Sequence, residues 1–401
     1  MRNYFILKNF CKKIYLVGSG NLWYEEEVIG DDKTIYYKLF AYSTFLTYGF
    51  MTLLEILAAL IGNFPEDEKR DSITFAVSHT IVMIKMFSVI SKKKLVKKLI
   101  RDLIKVCELY EEDSLMVDKY RIMKINVVAY IITVYGSAAC FIFEGIRKTY
   151  DGSHFVTVVT YYPSFENDSL LAIITRITTT IVLLIMLLTM IINVDCFALA
   201  NLIIFKYKFI TLRDYFEKLR DDFDKLFESG NYGLAAEKLA QGLKEGIVMH
   251  KELIRISKEI DKAFGTVLAL QVCQSSGSAV SLLLQIALSD DLTFVARMKL
   301  YFFVVALFFL LGLFLCNAGD ITYQASLLSD SIFYCGWNLC PSQYPQRTRQ
   351  NIGKLVLQAC AQSQRPIVMK AFKMLELTYG TFLLVVRSTY SVFALFYAQD
   401  Q

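Results

Sequence analysis

Proline is scarce in this chain, five in 401 residues, and histidine and tryptophan number only three and two. So few prolines leave long helices unbroken. No Pro-rich or Gly/Ser-rich linker interrupts the sequence, so residues 1–401 read as a single unit. His79, His154 and His250 lie far apart, with no H-E-x-x-H pattern and no His/Cys grouping at metal-ligand spacing. Cys335 and Cys340 lack a matching second pair, so unpaired thiols are expected there. Phosphate-cradling glycine loops, a nucleophile elbow and a dinucleotide fingerprint are all missing. These absences exclude the recognisable enzyme classes, and no cofactor or metal is expected. The first twenty residues contain neither an uninterrupted apolar core nor a small-residue cleavage site, so no signal peptide is expected.

Apolar side chains, by contrast, are abundant. They make up 55% of the chain and aromatics 14%, with a mean hydropathy of +0.42. Soluble domains hold about 45–50% apolar residues, so this chain needs the lipid bilayer as part of its solvent. The net charge of +5 is modest and forms no single patch, which argues against a nucleic-acid partner. Crossing roughly 30 Å of hydrocarbon takes about 20 mainly apolar residues. Seven windows qualify, at roughly 39–62, 72–90, 125–145, 170–204, 264–288, 299–318 and 378–397. The fourth is too long for one perpendicular crossing, so it tilts or continues into water as a helix.

Basic residues set the expected orientation. Segments 1–38, 91–124, 205–263 and 319–377 hold 34 of the 43 Lys and Arg. Under the positive-inside rule those segments are cytosolic. The expected fold is therefore all-α with seven transmembrane helices, the N-terminus cytosolic and the C-terminus extracellular. The sequon Asn167-Asp168-Ser169 falls in a segment assigned outside, where Asn167 is a possible glycosylation site. Seven spans in this orientation are inverted relative to G-protein-coupled receptors.

The segments between the spans carry helical periodicity of their own. Leu212, Phe216, Leu219, Phe223 and Leu226 recur at 4-3-4-3 spacing, and Leu239, Leu243, Ile247, His250 and Ile254 form a second stripe. Gly230-Asn231 is the expected break between them. A third amphipathic stretch covers 350–364, just before Pro366. Residues 205–263 and 319–377 thus read as helical cytosolic segments, with spans four and five prolonged into the first as a hairpin; their apolar stripes pack on each other, on the inner ends of neighbouring spans or on another subunit.

Ionisable residues inside spans are costly in hydrocarbon and point to function. Glu55 lies deep enough to face the bundle. Lys85, Asp195 and Asp320 lie near inner ends and Arg176 near an outer end, where snorkelling to the interface is expected. Arg387 sits in mid-span beside Ser388, Thr389, Tyr390 and Ser391, which favours water or protein over lipid around that helix.

From Trp337 onward the chain resembles the insect odorant receptor family. The resemblance rests on an amphipathic helix bearing Gln364-Arg365-Pro366, a Thr381-Phe382 pair, and then Arg387, Ser388, Tyr390 and Ser391. It implies a ligand-tuned subunit of a nonselective, ligand-gated cation channel in the plasma membrane of a sensory neuron. Such subunits form a heterotetramer with an odorant co-receptor through cytosolic helical extensions of spans four to seven, which makes residues 205–263 and 319–377 the cytosolic helical anchor region, and residues 378–397 serve as the pore helix. Arg387, Tyr390, Ser391, Phe393 and Phe396 are then the pore and gate candidates. The related gustatory receptors are the alternative; their C-terminal signature is only partly echoed by Thr389-Tyr390 and Gln399.

The resemblance also implies a pocket in the outer half of the bundle, among spans two, three, four and six. The candidates are Ser78, His79 and Val82; Tyr135, Ser137, Ala138 and Phe141; Thr178, Thr179 and Val182; and Phe302, Phe303 and Val305. Few of these can ionise, so dispersion and shape dominate and a small neutral volatile ligand is expected, with a hydroxyl or His79 free for one hydrogen bond.

Overall fold

A 59-residue helix and a 57-residue helix, joined by a tight reversal, form the spine of the molecule. A computed structural model describes residues 3–25, 28–61, 66–150, 170–288, 293–337 and 346–399. Eleven helices run through them: α1 Asn3–Tyr15, α2 Ile35–Ile61, α3 Glu66–Ser91, α4 Lys93–Lys105, α5 Asp113–Tyr150, α6 Leu170–Glu228, α7 Tyr232–Leu288, α8 Phe294–Ser326, α9 Leu328–Phe333, α10 Gln346–Ser363 and α11 Tyr379–Gln399. A two-residue hairpin, β1 Lys370–Ala371 and β2 Leu375–Glu376, precedes α11. Seven helices (α2, α3, α5, α6, α7, α8 and α11) are long and apolar enough to cross a membrane.

The fourth and fifth expected spans occupy only one half of α6 and α7. The other halves continue as an antiparallel pair and meet at Gly230, whose φ of 76° closes the end of α6. Gly230 N–H donates to Phe227 O and Asn231 N–H to Leu226 O, satisfying carbonyls that the helix end leaves free. Along this pair Leu212, Phe216, Phe223, Leu239 and Leu243 are buried. Two glycines one turn apart let the rods approach. A Cβ on Gly242 would lie 2.4 Å from Leu219, and one on Gly246 would lie 2.3 Å from the Phe216 ring. This hairpin end of the molecule is the basic one.

Two further helices pack against the hairpin end. Helix α1 buries Ile6, Leu7, Cys11 and Ile14 against it, and α4 buries Val96, Leu99, Ile100, Leu103 and Ile104. Between them lies a buried ionic cluster. The Glu111 carboxylate meets Lys208 Nζ at 2.7 Å and Lys119 Nζ at 3.1 Å, and accepts from Asn3 Nδ2 at 2.6 Å. Lys208 also donates to the carbonyls of Ile104 and Val106, so a cation caps the negative end of α4. Burial pushes the Glu111 carboxyl up, but the Lys208 and Lys119 ammoniums more than reverse this and leave it below its usual value. Burial likewise pushes Asp102 up, and Arg255 and Arg101 outweigh it. The Arg255 guanidinium ties α4 to α7 at 2.8 Å.

Candidate functional site

A cavity of about 90 Å³ lies among α3, α5, α6, α7 and α8. Three phenylalanines roof it. Phe75 meets Phe141 edge-on at 5.0 Å and stacks on Phe303 at 5.8 Å, while Phe141 and Phe303 meet edge-on at 5.3 Å. Above the roof, Lys299 lies 4.7 Å over the Phe141 ring and pairs with Asp71 at 3.0 Å. Val134, Ala138, Leu184, Leu187, Leu188, Ile191, Leu307 and Leu310 form the walls. These side chains can hold an apolar body by dispersion but offer it no bond.

The floor is polar. Lys85 Nζ lies 3.1 Å from Asp195 Oδ2 and also donates to Gln271 Oε1. Tyr130 O–H donates to Asp195 at 2.6 Å. Four side chains from α3, α5, α6 and α7 are thereby joined, and Lys85, Asp195 and Tyr130 are each about 1% exposed. This overturns the snorkelling expectation for Lys85 and Asp195. Each supplies the counter-charge the other needs, so neither has to reach water. Sequence alone missed this pair because its members lie 110 residues apart.

Glu55 does face the bundle. Its Oε2 lies 2.6 Å from His79 Nδ1, and both side chains are buried. The pair lines a second cavity, of about 30 Å³, together with Tyr48, Met51, Thr52 and Thr180 among others. His79, Leu184 and Leu187 line both.

Six of the thirteen pocket candidates come together on the main cavity: Ser78, His79, Ser137, Ala138, Phe141 and Phe303. Val82 is buried but does not line it. Tyr135, Thr178, Val182, Phe302 and Val305 are exposed on the outside of the bundle, so they are corrected from pocket to surface positions. A rotation of each helix by one or two residues separates an inward from an outward side chain, and in a membrane both faces are apolar. Asn167 lies outside the described residues, as do Cys340 and the side chains of Thr179 and Arg176. The sequence reading also left out Phe75, Leu187, Leu188 and Gln271, whose residue types carry no signal of their own.

At the hairpin end of the spans, α11 is held at its first residue. Tyr379 O–H donates to Asp320 on α8, which also pairs with Lys206 of α6 at 2.9 Å. A Cβ on Gly319 would lie 3.0 Å from the Tyr379 ring, so α8 and α11 touch closely there. Beyond this root α11 is the least buried of the seven long apolar helices. Val385 and Thr389 face inward; Leu383, Leu384, Arg387, Tyr390, Ser391, Leu395 and Phe396 are exposed and Phe393 is half-buried.

A sequence model of the family described as 7tm odorant receptor matches residues 67–390. Among curated proteins no sequence matches the chain. Among solved structures, the insect olfactory receptor OR5 from Machilis hrabei is similar, with a TM-score of 0.74 and 12% identity over 98% of this chain and 99% of that one. The same receptor in complex with eugenol gives a TM-score of 0.75 and 12% identity, with both chains covered completely.

Proposed function

The chain belongs to the 7tm odorant receptor family, and we propose that it binds small volatile ligands in the roofed cavity and gates a nonselective cation channel together with the odorant co-receptor. It is a multi-pass membrane protein. The observation that carries the reading is the largely apolar cavity whose polar floor joins α3, α5, α6 and α7. A similar receptor has been solved in complex with eugenol, which supports ligand binding by this chain.

The basic hairpin end lies in the cytosol, with the N-terminus, and the aromatic roof faces outward; the Lys/Arg bias supports this orientation. Residues 205–263 and 319–377 anchor the subunit to its partners in a heterotetramer. Helix α11 lines the pore, in keeping with a span that its own chain leaves mostly uncovered. Phe393 and Phe396 form a hydrophobic gate that opens by wetting. Ligand binds the open arrangement more tightly and shifts the population towards it.

Co-expression with an odorant co-receptor, followed by current recording across a broad volatile panel, tests the proposal. Odour-evoked cation current is expected. Surface expression without any evoked current would reject the channel reading.

A further inference from the structure

The Glu55–His79 pair is built like half of a binding site. Glu55 is 1% exposed and His79 7%, both inside membrane-spanning helices. Each keeps one buried atom, Glu55 Oε1 and His79 Nε2, with no hydrogen-bond partner among the described residues. Buried polar atoms are nearly always satisfied, and a vacant carboxylate oxygen is among the costlier exceptions. Both residues line the 30 Å³ cavity, and His79 also lines the 90 Å³ one. A volume of 30 Å³ suits a water or one small polar group rather than a ligand body.

The chemistry that fits follows from the atoms. An ionised carboxylate only accepts, so with Oε2 holding Nδ1–H the remaining Oε1 needs a donor. His79 Nε2 accepts when the ring is neutral and donates when it is charged. Beside a charged ring a hydroxyl answers both atoms, donating its hydrogen to Oε1 and accepting from Nε2–H; beside a neutral ring it answers Oε1 and leaves Nε2 to a water. An ether or ester oxygen cannot donate to Oε1, and a hydrocarbon satisfies neither atom.

We infer that the preferred ligands are hydroxylated volatiles, alcohols or phenols. Their apolar body fills the main cavity beneath the phenylalanine roof, and their hydroxyl passes His79, which lines both cavities, to donate to Glu55 Oε1 in the smaller one. This rests on the cavity being the ligand site, and it narrows the ligand from any small neutral volatile to one bearing an O–H.

Three probes of nearly equal shape test it: 4-ethylphenol, 4-ethylanisole and 4-ethyltoluene. Binding to the full-length chain in nanodiscs is measured by calorimetry, with empty nanodiscs as the blank for partition into lipid. The phenol is expected to bind at least about tenfold more tightly than the toluene, with the anisole between them. In Glu55→Met and His79→Phe that advantage shrinks, and in the double variant it falls below about twofold. Equal binding of all three by the natural chain overturns the inference and assigns the two atoms to a resident water. A tenfold advantage that survives the double variant also overturns it. If none of the three binds while other volatiles still evoke current, the hydroxyl preference fails and the pocket reading stands. If no volatile binds or evokes current, both fail.

Discussion

Two buried charge clusters, one in the spans and one outside them, solve the same problem in different ways. In the Lys85–Asp195 pair one cation meets one anion, and Gln271 and Tyr130 supply the remaining hydrogen bonds. Removing one partner strands the other in an apolar interior. Lys85→Met is therefore expected to cost about 3–5 kcal/mol, whereas Lys85→Met with Asp195→Leu recovers most of that loss. Thermal unfolding in detergent, read for both variants, measures the difference. At the hairpin end Glu111 pairs with both Lys119 and Lys208, so its ionised form is favoured in the fold. A carboxyl with a depressed folded pKa stabilises fully above its unfolded value of about 4.3 and loses that contribution as pH falls through the folded value. Glu111→Gln should thus be less stable than the natural chain at neutral pH, with the gap closing on acidification below about pH 4. Unfolding midpoints across a pH series would show a constant gap if Glu111 were not held in its charged form.

At the scale of elements, the α6–α7 hairpin depends on the absence of two side chains. Gly246→Leu would drive a branched side chain into the Phe216 ring, which is itself fully buried. Overpacking of this kind costs about 1–3 kcal/mol, and here it also spreads the hairpin. Cross-linking yields of the assembled complex should fall with Gly246→Leu and stay near normal for a bulky change at Gly233, where nothing lies within 4 Å. The elements differ in how readily the sequence discloses them. Hydropathy located all seven spans, and the Leu212–Leu226 stripe located the hairpin. Helix α4 went unread because its lysines served as a charge signal, although Val96, Leu99, Ile100, Leu103 and Ile104 repeat at helical spacing. Helix α1 is short, and its aromatic and lysine mixture has no clear period until α6 covers one face. The cavity was legible only in part. Ser78 and His79 stood out as polar residues in a span, but Tyr135 and Phe302 could not be told from Phe141 and Phe303. Lipid and core are equally apolar, so the inward face of a membrane helix leaves little pattern.

At the scale of the whole molecule, the proposed ligand site and the proposed pore helix lie in different places. The cavity has no wall from α11. Helix α11 meets α7 and α8, and its root is tied through Tyr379 and Asp320 to Lys206 of α6. Both α6 and α8 also line the cavity, so a shift there reaches the root of α11 through shared rods. Tyr379→Phe removes the hydroxyl from this tie and keeps the ring against Gly319. It is expected to raise resting current several-fold in co-expressing cells and to leave the order of odour potencies unchanged. Unaltered resting current at equal surface expression would exclude the tie from gating.

Helices α6 and α7 run without a break from the membrane half to the hairpin, with a single proline-free path of 59 and 57 residues. From Leu187 at the cavity to Glu228 at the tip, α6 spans about 60 Å at 1.5 Å per residue. A rod of that length acts as a pointer. A tilt of about 5° at the cavity swings its tip by about 5 Å, more than the width of a water molecule and enough to change which neighbours the tip touches. Fluorescent labels near Ser229 would therefore report occupancy of a cavity they never approach.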